Sequence, residues 1–490
     1  MSGVKNNTAL SNPMRRIRHV HFIGIGGVGM SGIAEVLLNL GYQVSGSDLK
    51  ESATTKRLQE QGATLFVGHH ADNIQASDAV VISSAVDDQN PEVVAAKTAR
   101  IPLVPRAQML AELMRFRQGI AVAGTHGKTT TTSLTAALLA AGGLDPTYVI
   151  GGRVNNAVGH GRLGQGDYLV AEADESDASF LFLQPVVTIV TNIDADHLST
   201  YGGDFARLQN TFSEFIHHLP FYGLAVLCID DPVVAEMLPS ISRPVLSYGF
   251  SSRADVKGSE LVVEQGRSQF RVSLPESSSA AANAFDVTLA LPGRHNAENA
   301  LAAIAVAHEL GVSANAIQAT LAQFPGVGRR FQRYGAISAQ VSTDESVIIE
   351  LIDDYGHHPT ELQATIAAAR ESWPSRRLVV AFQPHRYSRT RDLFDDFAAV
   401  LSQADVLVLT EVYPAGESVI TGADGRALSK AIRARGKVDP IFIGDVMQLD
   451  MSLRSILQED DVLLTMGAGN IGAVAAALPE QLSRPRQEQR

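Results

Sequence analysis

A glycine-rich segment suited to phosphate binding lies between a predicted strand and a predicted helix. It follows the apolar run GIAVA and reads Gly124-Thr125-His126-Gly127-Lys128-Thr129-Thr130. A loop at a helix N-terminus directs unpaired backbone N–H groups at phosphate oxygens. Gly127 allows close backbone approach, Lys128 can neutralise β- and γ-phosphates, and the Thr129 hydroxyl can bind Mg²⁺. The segment predicts a nucleotide site of the P-loop type, although Val122 stands where such loops usually have their first glycine.

Acidic side chains and a histidine follow two later predicted strands. Glu172 and Asp174 follow the apolar start of YLVAEADESD, and His197 ends the segment TNIDADH. A carboxylate at a strand end beside a P-loop is where a further contact to Mg²⁺ is needed. Acidic loops are often only solvated surface, and a lone histidine is often structural. The pattern thus indicates a metal site but leaves the structural alternative open.

A second glycine pattern occurs near the N-terminus. It reads Gly24-Ile25-Gly26-Gly27-Val28-Gly29, and Asp48 ends the next predicted strand. This pattern fits the dinucleotide-binding fingerprint, but any nucleotide diphosphate can use the same helix N-terminus. A nicotinamide-dependent dehydrogenase is one interpretation. Because such an enzyme has no need of the later P-loop, two phosphate sites favour a kinase-like or ligase reaction on a nucleotide-linked substrate.

Composition restricts the class of protein further. The chain has 490 residues, which predicts about three domains, and a formal net charge of −12, which argues against nonspecific binding to nucleic acid or to an anionic membrane. Cys228 is the only cysteine, so no intrachain disulfide can form. There is no apolar signal segment and no apolar run long enough to span a bilayer. We therefore expect a cytoplasmic location.

Strands alternate with helices along most of the chain, which predicts an α/β fold with parallel sheets. We expect a disordered tail over 1–14 and a Rossmann-like domain over 15–112. A P-loop domain with a parallel sheet follows over 113–325, and a second Rossmann-like domain over 326–490. The residues from about Pro479 are predicted to form a second polar and disordered tail.

Several motifs occur in the order in which they stand in the Mur ligases, and the chain resembles this family over nearly its whole length. They are GIGGVGMSGIA, GTHGKTTT, AEADESDASFL, TNIDADHL, GRHNAENALAA, GVGRRFQ and DDYGHHPTE. The resemblance implies an N-terminal domain for the UDP part of the substrate, a central ATPase, and a C-terminal domain that closes over ATP and an amino acid. It also implies an acyl-phosphate intermediate followed by a tetrahedral one.

Within the family, the resemblance is greatest to the branch that joins L-alanine to UDP-N-acetylmuramate for peptidoglycan synthesis. It implies the cofactors ATP and Mg²⁺, two ions in all, with Mn²⁺ as an alternative. Lys128 is expected to contact the β- and γ-phosphates, and Thr129, Glu172 and His197 are expected to bind metal. Some Mur ligases use a carbamylated lysine here, but no lysine lies between Lys128 and Lys257.

The remaining site residues follow from the same resemblance. Asn296 and Asn299, three apart on a helix, are expected near the adenine, and Arg330 and Asp354 are expected to contact ATP from the third domain. The UDP part is assigned to Gly24, Gly26, Gly27, Gly29 and Asp48. The residues expected around the amino acid and the intermediate are Tyr355, His357, His385, Arg386 and Arg389, with His385 and Arg389 in catalytic roles.

Three alternatives remain open at this point. A recycling ligase that attaches a tripeptide to the same sugar would share these motifs and differ in pocket size. A NAD-dependent dehydrogenase would bind NAD and hydrolyse no ATP. A noncatalytic nucleotide-binding protein is disfavoured by the complete set of Lys128, Thr129, Glu172 and His197. We expect no nucleic-acid or membrane partner and a monomer or homodimer.

Overall fold

The computed structural model describes residues 14, 16–83, 85–150, 161–275, 284–342 and 345–484. They form an α/β fold with three largely parallel sheets, as predicted. The predicted N-terminal tail lies, apart from Met14, outside the described residues. The domain boundaries given above stay predictions.

The chain separates into two compact units. The first contains the described residues within Met1–Ser259, Val272–Phe285 and Glu298–Leu321. The second contains those within Glu260–Arg271, Asp286–Ala297 and Ala322–Arg490.

The first sheet is Rossmann-like. Its strands are β1 (His19–Ile23), β2 (Gln43–Asp48), β3 (Thr64–Val67), β4 (Ala79–Ile82) and β5 (Leu103–Pro105). Its helices are α1 (Val28–Asn39), α2 (Ala53–Glu60), α3 (Pro91–Ala99) and α4 (Arg106–Met114). The strands pair in parallel in the order β3-β2-β1-β4-β5. The order reverses beside β1, so the first glycine motif lies at the edge where open α/β sheets bind ligands.

The second sheet has ten strands, in the order β15-β14-β13-β12-β11-β10-β6-β9-β7-β8. They are β6 (Gln118–Ala123), β7 (Thr147–Val149), β8 (Gly161–Arg162), β9 (Tyr168–Glu172), β10 (Val187–Val190), β11 (Leu224–Cys228), β12 (Val245–Gly249), β13 (Val256–Glu264), β14 (Arg267–Ser273) and β15 (Ala284–Leu289). The helices are α5 (Lys128–Ala141), α6 (Phe205–His217), α7 (Pro232–Met237), α8 (Arg294–Glu309) and α9 (Ala314–Ala322). Both neighbours of β6, namely β9 and β10, run parallel to it, which places the P-loop between their carboxyl ends.

The third sheet has the order β16-β17-β21-β18-β19-β20. Its strands are β16 (Gln332–Gln340), β17 (Ser346–Asp354), β18 (Leu378–Phe382), β19 (Val406–Thr410), β20 (Ile441–Ile443) and β21 (Val462–Met466). The helices are α10 (Pro359–Ser372), α11 (Tyr387–Asp392), α12 (Phe394–Leu401), α13 (Gly425–Ala434), α14 (Leu449–Arg454) and α15 (Ile471–Ser483). Only the pairing of β16 with β17 is antiparallel among the described ladders of this sheet.

The prediction of a polar tail from Pro479 was wrong for the described part of that segment. Helix α15 runs through Pro479 and ends at Ser483, and Leu478 and Leu482 of this helix are fully buried. Burial of that apolar face outweighs the local cost of a proline inside a helix.

The core explains why these strands read as continuous apolar runs. The segments VTIV in β10, LVVAF in β18 and VLLTM in β21 are buried at every position. Parallel strands covered on both faces have no solvated side and therefore show no polar alternation. Every helix of the described residues is too short or too polar to cross a lipid bilayer.

Candidate active site

The P-loop has the backbone shape that its sequence predicts. It joins β6 to α5, and Gly127 adopts φ +84°, a left-handed conformation that favours glycine. A Cβ at Gly127 would also collide with the side-chain oxygen of Asn299. The loop therefore admits only glycine at this position, and it brings the backbone to the start of α5.

The ammonium of Lys128 is held inside the protein by an acidic partner, Glu175, that was not predicted from the sequence. Its Nζ donates to both carboxylate oxygens of Glu175, at 2.9 and 2.8 Å. It also donates to the carbonyl oxygens of Gly124, at 2.6 Å, and Thr125, at 3.1 Å. The Glu175 side chain is only 2% exposed. Position in AEADESD alone could not separate Glu175 from its acidic neighbours.

Burial and charge act in opposite directions on this pair. Burial raises the pKa of Glu175 to about 7, although the charge of Lys128 opposes the shift. Burial lowers the pKa of Lys128, but attraction to Glu175 and Asp174 outweighs it, and the net shift is upward. The lysine thus keeps its positive charge at the P-loop.

The two other carboxylates of this segment lie at the same sheet edge. Glu172 is the last residue of β9 and pairs in register with Val122 of β6. Asp174 accepts a hydrogen bond from Nη2 of Arg106 at 3.0 Å. Burial raises the pKa of Asp174, but Lys128, Ser176 and Arg106 stabilise the carboxylate, and the net pKa shift is downward. Arg106 is the first residue of α4 and was not predicted as a site residue.

One cavity is lined by glycines of the N-terminal motif and by Lys128 of the P-loop. It has a volume of about 360 Å³ and is formed by residues of both the first and the second sheet regions. Its polar and glycine lining consists of Gly24, Gly27, Gly29, Ser83, Arg106, Lys128, Glu172 and Asp174. Cations and backbone N–H groups therefore meet carboxylates in one space large enough for phosphate groups and a reacting carboxylate.

The N-terminal glycine motif is shaped for an anion. Helix α1 begins after Gly27, and within the described side chains none caps its N-terminus. Asp48 accepts a hydrogen bond from the backbone N–H of Gly26 at 2.9 Å, which fixes the turn. A Cβ at Gly29 would lie 2.7 Å from Nη1 of Arg106. The guanidinium therefore lies directly over the first turn of α1.

The other P-loop side chains contact the segment after β10. His126 Nε2 lies 3.0 Å from a carboxylate oxygen of Asp194, and its backbone N–H donates to Asn192 at 2.8 Å. The hydroxyl of Thr125 accepts from the N–H of Asp194 at 2.9 Å. Asp194 and Asn192 were not predicted as site residues, although both stand in the motif TNIDADHL.

His197 is not among the described side chains that line the cavity. Its Nε2 lies 3.5 Å from Asp196, and its side chain is 31% exposed. It adopts φ 55° before a short 3₁₀ helix at Leu198–Tyr201. Its predicted role as a metal ligand stays a prediction.

The residues present fit a magnesium ion. Mg²⁺ prefers oxygen ligands and usually takes one or two carboxylates together with substrate phosphates. Glu172 and Asp174 line the same cavity as Lys128. Thr129 and Thr130 are buried in the first turn of α5, where a P-loop hydroxyl is required.

The two asparagines predicted near the adenine are buried on α8. The side-chain oxygen of Asn299 accepts from the Thr131 hydroxyl at 3.1 Å, which fixes the helix that follows the P-loop. The side-chain nitrogen of Asn296 donates to the carbonyl of Pro292 at 2.8 Å. Contact of either with adenine stays a prediction.

In the second unit, aromatic and imidazole rings predicted for the amino-acid site lie together after β17 and β18. The ring centroids of Tyr355 and His357 are 5.3 Å apart, and those of His357 and His385 are 5.8 Å apart. Tyr413, which was not predicted, stacks on His385 at 5.6 Å. Arg330 lies over the Tyr355 ring at 5.1 Å from its centroid.

Both imidazoles of this cluster are neutral near pH 7. Burial lowers the pKa of His357 and of His385 to about 4, and Arg389 contributes to both shifts. Burial raises the pKa of Asp354 to about 6, against the charge of Arg330. Asp354 accepts from the backbone N–H groups of Phe331 and Gly356, each at 2.7 Å.

The predicted arginines differ in exposure. Arg386 is exposed, and its backbone N–H donates to the carbonyl of Tyr413 at 2.9 Å. Arg389 lies on α11 and is partly buried. The two arginines are thus the positively charged side chains next to the neutral His357 and His385.

These features define an α/β protein in which a strand–P-loop–helix unit and a second glycine-rich helix start lie beside one cavity. Three family models match the chain: the Mur ligase family, catalytic domain over 19–118, the Mur ligase middle domain over 122–307, and the Mur ligase, glutamate ligase domain over 329–469. The chain belongs to the Mur ligase family.

Relatives and solved structures agree with this assignment. The UDP-N-acetylmuramate–L-alanine ligase of Methylobacillus flagellatus is 60% identical over 465 residues, which cover 95% of this chain and 96% of the relative. That of Paraburkholderia xenovorans is 58% identical and covers 95% and 98%. The crystal structure of a UDP-N-acetylmuramate-alanine ligase from Thermotoga maritima matches with a TM-score of 0.78 at 29% identity, covering 94% of this chain and 98% of that one.

Proposed function

We propose that this chain is an ATP-dependent ligase that joins L-alanine to the carboxylate of UDP-N-acetylmuramate in peptidoglycan precursor synthesis, with release of ADP and phosphate. Relatives of that name share about three fifths of its residues over nearly the whole chain. The observation that carries the proposal is the cavity lined by three glycines of the first motif and by Lys128 of the P-loop, because it allows a nucleotide-linked carboxylate to meet the γ-phosphate of ATP. A dehydrogenase would use only the first motif.

The reaction follows from the charges of this cavity. A carboxylate is a poor electrophile, so its oxygen attacks the γ-phosphorus of ATP, the bond to ADP breaks, and an acyl phosphate forms. The amine of alanine then attacks the acyl carbon, loses a proton, and phosphate leaves. Lys128 and Arg106 offset the negative charge that gathers during phosphoryl transfer, and the α1 N-terminus binds the diphosphate of the UDP group.

Magnesium is the expected ion of the ATP site, with Mn²⁺ as an alternative. Thr129 and Glu172 would hold one ion, and His197 would contribute to a second. When bound, the ion supplies positive charge that neutralises the phosphate oxygens. The oxygen donors of the cavity support this assignment.

The cluster of the second unit is proposed to bind the amino acid. Arg386 and Arg389 offer charge to the alanine carboxylate, while Tyr355, His357 and His385 surround it with rings. Because both histidines are neutral near pH 7, they add no positive charge that would repel an incoming ammonium. Arg330 and Asp354 are proposed to contact ATP. A cytoplasmic location and a monomeric or homodimeric state stay predictions from the sequence.

Phosphate release from ATP tests the proposal directly. We expect Mg²⁺-dependent release in the presence of UDP-N-acetylmuramate and L-alanine, together with a product of the mass of the alanyl conjugate. A selective response to the tripeptide would assign the recycling reaction instead. No turnover of ATP by folded protein under any of these conditions would contradict the ligase function.

A further inference from the structure

The P-loop lysine has no N–H donor left for a phosphate. A lysine ammonium carries three donors. Those of Lys128 are directed at the carbonyls of Gly124 and Thr125 and at both carboxylate oxygens of Glu175. Binding of β- and γ-phosphates by Lys128 therefore requires that the contact with Glu175 be broken or shared.

Glu175 is fixed in place by its own surroundings. Its backbone carbonyl accepts hydrogen bonds from the hydroxyl of Tyr201 and from the backbone N–H of Ala178. Tyr201 is itself 5% exposed. The carboxylate is thus presented to Lys128 by a buried and internally bonded turn, rather than by a mobile surface side chain.

Such a carboxylate opposes nucleotide binding in two ways. It occupies the lysine, and its negative charge repels phosphate oxygens over a short distance in a poorly solvated site. The arrangement favours a P-loop in which Glu175 holds the lysine until a phosphate group displaces the Glu175 carboxylate.

We propose that Glu175 is a positioning residue of the ATP site, which holds Lys128 away from the nucleotide and so limits ATP binding and hydrolysis before the sugar substrate arrives. This inference rests on the proposed ligase function. It assigns to Glu175 a role separate from that of Glu172, which is the expected metal ligand of the same segment.

The test is nucleotide binding by the full-length protein without UDP-N-acetylmuramate. Glu175→Gln keeps the shape of the side chain and removes its charge. We expect Mg²⁺–ADP to bind this variant about tenfold more tightly than the wild type, which corresponds to about 1.4 kcal/mol. We also expect faster release of phosphate from ATP in the absence of any acceptor, and a larger rise in melting temperature on addition of ADP.

A matched control separates this contact from the general charge of the loop. The carboxylate of Asp177 accepts a hydrogen bond from the N–H of Ser179 at 3.0 Å, two residues from Glu175. Asp177→Asn removes the same charge from the same segment, and we expect its ADP affinity to stay within about twofold of wild type. Equal tightening in both variants would overturn the specific role of Glu175.

A second variant covers the case in which Glu175→Gln does not fold. Tyr201→Phe removes the hydroxyl that holds the Glu175 carbonyl, and we expect a smaller tightening of ADP binding in the same direction. Unchanged or weaker ADP binding in folded Glu175→Gln would overturn the inference. If only Tyr201→Phe folds, the same result in that variant would overturn it. In either case, ligation by the wild type would leave the proposed function intact. Absence of ATP binding and ligation in the wild type would overturn both.

Discussion

Arg106 donates a hydrogen bond to Asp174 over 3.0 Å and also lies against Gly29 at the first turn of α1. The arginine comes from the end of the first sheet region, whereas Asp174 follows β9 of the second. One guanidinium thus contacts the predicted site of the UDP group and the acidic segment of the ATP site. Any anion bound at the α1 N-terminus will compete with Asp174 for this arginine.

Removal of the Arg106 guanidinium should weaken binding of the nucleotide-sugar more than it weakens binding of ATP. For Arg106→Gln we expect the KM for UDP-N-acetylmuramate to rise by about 10- to 100-fold, since a hydrogen bond to a charged group is worth about 1.5–3 kcal/mol. Arg115→Gln is the control. Arg115 is exposed, follows α4 and pairs with Glu112, so this variant should leave the KM unchanged within about twofold. Steady-state kinetics at saturating ATP and alanine measures both. A rise confined to the KM for ATP would contradict the assignment.

Loss of Lys128 should affect activity and stability separately. We expect Lys128→Met to abolish phosphate release and to destabilise the fold by about 1–3 kcal/mol, because the buried Glu175 carboxyl loses its partner and must take up a proton. The double variant Lys128→Met/Glu175→Gln should recover most of that stability and none of the activity. Urea unfolding together with phosphate release distinguishes the two effects. A double variant as unstable as the single one would show that the ion pair does not cause the loss.

The P-loop glycine should be more costly to replace than another glycine of similar conformation. Gly127 and Gly143 both have positive φ, at +84° and +78°, but only Gly127 faces a side chain that a Cβ would meet, that of Asn299. We expect Gly143→Ala to lower the free energy of unfolding by about 1–2 kcal/mol from backbone strain alone. Gly127→Ala should lower it by more and weaken nucleotide binding. Equal effects in urea unfolding would exclude the collision as a cause.

Acid should destabilise the second unit through its buried histidines. The pKa of His357 is lowered to about 4 in the folded protein, compared with about 6.5 in an unfolded chain. The unfolded chain therefore takes up a proton first, so this contribution to stability is complete above pH 6.5 and is lost as the pH falls toward 4. His357→Gln should flatten that part of the stability profile, measured by urea unfolding at pH 7.0, 6.0 and 5.0. An unchanged slope would contradict the prediction.

The side chains of His385 and Arg389 in the second unit should be needed for ligation but not for binding of the nucleotide-sugar. We expect His385→Ala and Arg389→Ala to bind UDP-N-acetylmuramate like the wild type but to ligate alanine at least about 100-fold more slowly. The first removes a neutral ring that positions the amino acid, and the second removes a positioned charge. Arg391→Ala provides the control, because this exposed residue of α11 pairs with Asp392. Binding by calorimetry and product by mass measure the two steps. Lost affinity for the nucleotide-sugar would place these residues elsewhere.

Much of the site could be predicted from short runs of sequence. The turn at Gly127 and the helix start at Lys128 depend on adjacent residues, so the motif sufficed to predict the loop. The sequence did not predict that Pro479 lies inside α15, because only burial of Leu478 and Leu482 overrides the local signal of a proline. Tyr413 was missed for a similar reason, since it reaches His385 from a separate strand end.

The sequence by itself determined the family, the α/β class and the two phosphate motifs, because these depend on contiguous residues and on the order of apolar runs. Only the tertiary structure decided which partner each acidic residue of AEADESD contacts. Glu172 ends β9, Asp174 turns toward Arg106, and Glu175 turns inward to Lys128. Because these side chains have the same charge and nearly the same size, the sequence alone does not distinguish their roles. The path of the backbone after the strand sets which cation each one meets.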